Sequence, residues 1–139
     1  MGTRVPMIIH APNAKGNGQG CMRIVQSLDL YAALVELCGL WLPPGNEGKS
    51  RMPLLDKPDA DWKQPAYSVW SEDGTTLHGV AVRTEEYRYA EFGPNGERGA
   101  MLFDPKADRL EMKNLADSPK FAEVRTELAA LTREYAARL

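Results

Sequence analysis

The chain has 139 residues, of which 43% are hydrophobic and 26% charged, with a formal net charge of -2. That is room for one ordinary globular domain and excludes a fibrous or disordered polypeptide. No Lys/Arg run exceeds a dipeptide, which excludes nucleic-acid binding through rows of phosphate contacts, and no apolar stretch approaches the roughly 18 residues of a membrane span.

The first element expected is a strand at "VPMII" (5–9), a near-continuous apolar run closed by Pro12 and suited to a parallel sheet covered on both faces. Pro6 and His10 interrupt this run, and neither a basic region nor a small-residue cleavage site flanks it. It therefore gives no expectation of a signal peptide, and the chain reads as soluble with no compartment assigned. "NAKGNGQG" (13–20) has the composition of a mobile surface loop. From Ile24 to Cys38 apolar residues recur at helical spacing through Leu28, Tyr31 and Val35, which predicts a helix with a wide buried face, ended by Gly39. Cys38 is expected as a small buried hydrophobe, and with Cys21 as the only other cysteine there is neither a disulfide framework nor a zinc spacing.

Five prolines between Trp41 and Pro65 predict a long irregular connection with a short turn at "PLL". The second half reads differently. "AYSVW" (66–70), "GVAVRT" (79–84), "YRYAEF" (87–92) and "AMLFD" (100–104) are short and rich in aromatic and β-branched residues, with turn residues between them, and so predict four antiparallel strands. Only Glu85 and Glu86 separate the second from the third, which implies a tight hairpin. After "DSP", Phe121, Val124, Leu128, Leu131 and Tyr135 mark one stripe of a final helix laid on that sheet.

Residues that could carry chemistry are few. His10 and His78 stand far apart, each without an adjacent carboxylate; a structural role is expected for both, with a metal-ligand or proton-shuttle role for His10 and a substrate-facing role for His78 as the alternatives. "GNGQG" lacks the spacing of a dinucleotide loop, and "EGKS" (47–50) is followed by prolines instead of the helix of a phosphate loop. Asp104, Asp108 and Glu111 lack the remaining positions of a calcium loop and read as a solvated turn. Arg83 and Arg88, on paired strands, could hold an anion or pair with Glu85, Glu86 and Glu91.

The order of "RVPMIIHAPNAKGNGQG", "VQSLDLYAALVELCGL", "EGKSRMPLL", "AVRTEEYRYAEF" and "LFDPKADRLEMKNLAD" before a final helix resembles the C-terminal part of a sulfatase. The likeness is to the iduronate-2-sulfatase-like branch of the alkaline-phosphatase-like superfamily. It departs at Ala32, Arg51 and Arg109, where the family usually has Pro, Leu and Pro. The fold class this implies is α+β: an N-terminal strand-helix remnant of the large α/β domain, then a four-stranded antiparallel sheet packed by a C-terminal helix. The implied division is 1–55 for the remnant, 56–65 for a linker and 66–139 for the small subdomain.

Sulfatase catalysis, by the same resemblance, uses a formylglycine made in a Cys/Ser-x-Pro-x-Arg motif and a calcium ion. Cys21 is followed by "MRIV", Cys38 by "GLWL", and no serine has the motif, so no catalytic residue, metal ligand or cofactor is assigned to this chain. The expected function is that of a sulfatase C-terminal piece with a structural or specificity role and no turnover alone. His78 and the "SEDGTT" loop (71–76) are the candidates for lying near substrate. The alternative is a non-catalytic interaction or oligomerisation module. Expected partners are a second copy of the chain or a separate sulfatase catalytic chain. An independent metal-dependent hydrolase finds no ligand cluster to support it.

Overall fold

The computed structural model describes residues 3–139, and the chain divides into two compact units between Gln64 and Pro65. Each unit has its own internal organisation.

The first unit holds two helices, α1 (Leu28–Leu37) and α2 (Met52–Asp56), joined by irregular chain. The expected strand at 5–9 does not form. Residues 4–10 run without ladder partners, and Ile8 is 94% exposed. An isolated strand has nowhere to place its backbone groups except in water, so the apolar run stays open. α1 starts at Leu28 instead of Ile24, and it buries Asp29, Ala32, Ala33 and Val35 while Leu28, Tyr31 and Leu34 remain exposed. Cys38 is exposed too, contrary to expectation. The buried face is thus narrower than the apolar pattern and centred on small side chains.

The glycine-rich loop, expected to be mobile, is tied down. Asn17 Nδ2 donates to the Ala11 carbonyl at 2.6 Å and its Oδ1 accepts from the Ala11 N–H, while Gly16 N–H donates to the Leu55 carbonyl. Lys15 N–H donates to Asp56 and Arg23 to the Asp59 carbonyl, which fastens the loop along the α2 region.

The centre of this unit is ionic. Asp29 is 3% exposed and Arg51 3%, and the two form a buried ion pair. Asp29 also accepts from the N–H groups of Gln26 and Lys49. The Arg51 guanidinium lies 4.7 Å above the ring of Trp62, whose Nε1 donates to the Ile24 carbonyl at 3.0 Å. Burial lowers the pKa of Arg51 to about 10, because the charged form is the one that loses water.

The second unit is a meander of β1 (Ala66–Trp70), β2 (Gly79–Arg83), β3 (Arg88–Phe92) and β4 (Ala100–Phe103), all antiparallel and in sequential order, with α3 (Ala122–Ala136) packed on one face. Thr84 and Tyr87 close the β2–β3 turn, with Thr84 N–H on the Tyr87 carbonyl and Tyr87 N–H on Thr84 Oγ1. The register sets Tyr67, Val82, Tyr89 and Leu102 in one row facing the helix. Val82, Tyr89 and Leu102 form the core with Ala116, Leu128 and Ala129, while Tyr67 packs at its margin beside Phe121, Val124 and Leu131 of the expected α3 stripe. Tyr135 stacks on Tyr67 with ring centroids 4.2 Å apart. The fold class is α+β, as the sequence implied.

Candidate functional site

Alternation along the strands sends Ala66, Ser68, Trp70, Ala81, Arg83, Arg88, Ala90, Phe92 and Phe103 to the face away from α3. At one end of that face sit three rings. Trp70 lies edge-on to Phe92 with centroids 6.2 Å apart, and the His78 ring lies 5.4 Å from Trp70 at a tilt of 52°. Gly79 makes the arrangement possible, since a Cβ there would stand 2.9 Å from the Phe92 ring. Trp70 remains 49% exposed.

The loop joining β1 to β2 is organised by one side chain. Asp73 accepts from Thr75 N–H at 2.9 Å, Thr76 N–H at 2.6 Å, Thr76 Oγ1 at 2.6 Å and Ser71 Oγ at 3.1 Å. These donors favour the carboxylate and hold its pKa far below the ordinary value of 3.8, the Thr76 hydroxyl contributing most. His78 is half-buried beside this loop, with its Nδ1 accepting from the Glu72 N–H at 3.3 Å. In the neutral ring the proton then sits on Nε2.

The other candidates are placed elsewhere. His10 is exposed in the 4–10 segment. Arg88 stands directly across from Arg83 in the register, but its partner is neither a hairpin glutamate nor Glu91: it pairs with Glu111, 23 residues on, and lies over the Phe103 ring. Glu111 reaches it from a left-handed conformation with φ of 55°. Glu91, 5% exposed, is bound instead by Arg133 and by the Tyr89 hydroxyl at 3.0 Å. Burial, with the adjoining Glu91 charge, raises the pKa of Tyr89. Asp104 accepts from the N–H groups of Lys106 and Ala107, which makes the "DPKADRLE" segment a turn.

Sequence patterns missed the Asp29–Arg51 and Glu91–Arg133 pairs. The available signal was a charged residue inside an otherwise apolar period, at Asp29 in "LDLYAALV" and Glu91 in "YAEF". The residues present do not fit a formylglycine or a calcium ion: neither cysteine has Pro and Arg at the required spacing, and among the described residues no three of His, Cys, Asp and Glu converge where a metal could sit. Among the described residues no helix is long and apolar enough to cross a membrane.

The second unit combines a four-stranded antiparallel sheet with one long helix, and the first unit is built on two helices. Residues 1–137 match the family described as N-sulphoglucosamine sulphohydrolase, C-terminal, and the chain belongs to it. It is 28% identical over 137 residues to an N-acetylglucosamine-6-O-sulfatase of Bacteroides thetaiotaomicron, covering 94% of this chain and 24% of that protein. It is 32% identical over 142 residues to a Delta 4,5-hexuronate-2-O-sulfatase of the same organism, covering 98% and 29%. The structure of a 2-O GAG sulfatase superposes with a TM-score of 0.65 at 32% identity, over 79% of this chain and 24% of the other. A phosphonate monoester hydrolase of Agrobacterium radiobacter, 20% identical, shares the fold with a TM-score of 0.68 over 89% of this chain and 27% of that one. The chain thus spans about a quarter of the length of these relatives.

Proposed function

We propose that this chain is the C-terminal portion of a sulfuric ester hydrolase, contributing structure and substrate selection while the reacting groups come from a catalytic domain outside these 139 residues. The observation that carries this reading is the family match across residues 1–137 together with the absence of a Cys/Ser-x-Pro-x-Arg motif from the sequence. Transition-state charge on a sulfate calls for preorganised cations and an activated nucleophile, and the arginines described above are occupied in ion pairs and structural contacts. We place the ester on a sugar, as the names of the two Bacteroides relatives state for those proteins. His78 and the 71–76 loop are the residues of this unit that contact the substrate. The experiment is sulfate release: the purified chain with calcium should give none above a mock preparation, whereas the chain fused behind the catalytic domain of a relative should give turnover that depends on His78. Turnover by the chain alone, surviving repurification, would overturn the reading.

A second reading, an interaction module, is favoured by the open apolar surface of the first unit. Val5 (61%), Ile8 (94%), Tyr31 (53%) and Trp41 (96%) are exposed well beyond what an isolated soluble unit needs. Its occupant would be a second copy of the chain or a separate catalytic chain. Light scattering tests the self-association form of this reading, which a monodisperse monomer at high concentration removes.

A further inference from the structure

We infer that the corner formed by Trp70, His78 and Phe92 is a saccharide-binding platform that takes the uncharged face of a pyranose ring. This deepens the proposed function and rests on it, because it specifies which part of a sulfated sugar the second unit holds. Half of the Trp70 surface is open, while Phe92 fixes the indole from one side and His78 from another, so the exposed ring is held in place before any ligand arrives. The π-face of an indole is electronegative and attracts the axial C–H groups of a pyranose, whose flat apolar side is close to the size of the ring.

Two polar groups flank that surface. The imidazole keeps its Nδ1 on the Glu72 N–H, leaving Nε2–H as a donor toward a sugar hydroxyl. The Glu72 carboxylate is exposed, and it can accept from hydroxyls but repels a sulfate. Asp73 adds a second fixed negative charge, with its donors consumed inside the loop, so the loop keeps its shape. An aromatic face with one donor, one acceptor and local negative charge suits a neutral polyhydroxylated ring and disfavours an aryl sulfate or the sulfate group itself. The sulfate of a bound substrate is therefore directed away from this corner.

The test titrates the full 139-residue chain, labelled with 15N, with three probes: an unsulfated disaccharide containing N-acetylglucosamine, its 6-O-sulfated counterpart, and 4-nitrophenyl sulfate. The Trp70 indole signal is assigned from its loss in Trp70→Phe. Saturable shifts of the Trp70 indole with both disaccharides, with Trp41 and Trp62 unmoved and no response to 4-nitrophenyl sulfate, are expected. Trp70→Ala should weaken binding by about tenfold or more. His78→Ala should weaken it by a smaller factor. Unchanged amide signals of Val82 and Leu102 in each variant show that the sheet still stands; should Trp70→Ala disturb them, Trp70→Phe and His78→Ala carry the comparison. No saccharide response, a response to the sulfated probe alone, an equal response to 4-nitrophenyl sulfate, or undiminished binding in the folded variants would each overturn the inference. Sugar binding is read without sulfate release. A chain that binds here yet supports no turnover in the fusion refutes the proposed function only, and a fusion that turns over while Trp70 stays silent refutes the platform only.

Discussion

Arg133 on α3 reaches across to Glu91 on β3, donating from Nε to Oε1 at 3.2 Å and from Nη2 to Oε2 at 3.3 Å, and its Nη2 also donates to the Asn95 carbonyl at 3.1 Å. One guanidinium thereby fastens the helix to the sheet and to the turn after β3. Glu91 is nearly without solvent, so Arg133→Met should cost about 1.5–3 kcal/mol, the usual worth of hydrogen bonds to a charged group. The double variant Glu91→Gln with Arg133→Met should lose less than the sum of the single losses, because the neutral amide no longer needs the cation. Urea unfolding of the unmodified chain, the two single variants and the double variant measures this, and additive losses would mean that the pair is not coupled.

The α3 stripe makes a second prediction. Leu128 is 5% exposed in the core, and Leu128→Ala should destabilise the second unit by about 2–5 kcal/mol. Glu134 is exposed and forms an i,i+4 pair with Arg138, so Glu134→Ala should change stability by no more than about 0.5 kcal/mol. Similar melting shifts for the two would show that the buried face has been misplaced.

In the first unit, Asp29→Ala should cost about 3–5 kcal/mol, because it removes the carboxylate paired with a buried Arg51 whose Nε and Nη1 have no hydrogen-bond partner among the described residues. Arg51→Leu should cost less, since Asp29 keeps the N–H donors of Gln26 and Lys49. Trp62 beneath the Arg51 guanidinium provides the fluorescence signal for both. Equal losses would contradict the asymmetry.

The 71–76 loop should respond to acid later than its surface position implies. The folded-state pKa of Asp73 is depressed, so its contribution is fully present above the ordinary value of 3.8 and is lost only as pH falls through the lower folded value. The amide shifts of Thr75 and Thr76 should therefore stay constant from neutral pH down through 3.8. A midpoint at the ordinary carboxylate value would show that the Asp73 hydrogen bonds do not persist in solution. Asp73→Asn should abolish the transition.

The second unit was legible in the sequence because its signals are local. "AYSVW" became β1 residue for residue, the other three strands ended within one residue of expectation, and the α3 stripe met the core where its spacing indicated. What escaped were relationships over long separations, such as Arg88 with Glu111 and Arg51 with Asp29, where a side chain chooses among several opposite charges and only the folded path decides. The misread segment, 5–9, has a different cause. Its apolar run states how a strand would be covered but cannot supply the neighbouring strands, and among the described residues nothing pairs with it. His78 was legible only as a residue type; the two rings that share its corner, Trp70 and Phe92, come from β1 and β3.

The strand order β1-β2-β3-β4 follows the order of the chain, with each strand bonded to its immediate successor. Every ladder in the second unit therefore closes over a short stretch of chain, and the entropy lost in each closure is small. Synthesis from the ribosome delivers the meander one hairpin at a time, but the apolar row of Tyr67, Val82, Tyr89 and Leu102 stays uncovered until the last segment, Ala122–Ala136, has emerged. A chain halted just before α3 leaves that row open to water, and emergence of Ala122–Ala136 is the step that covers it.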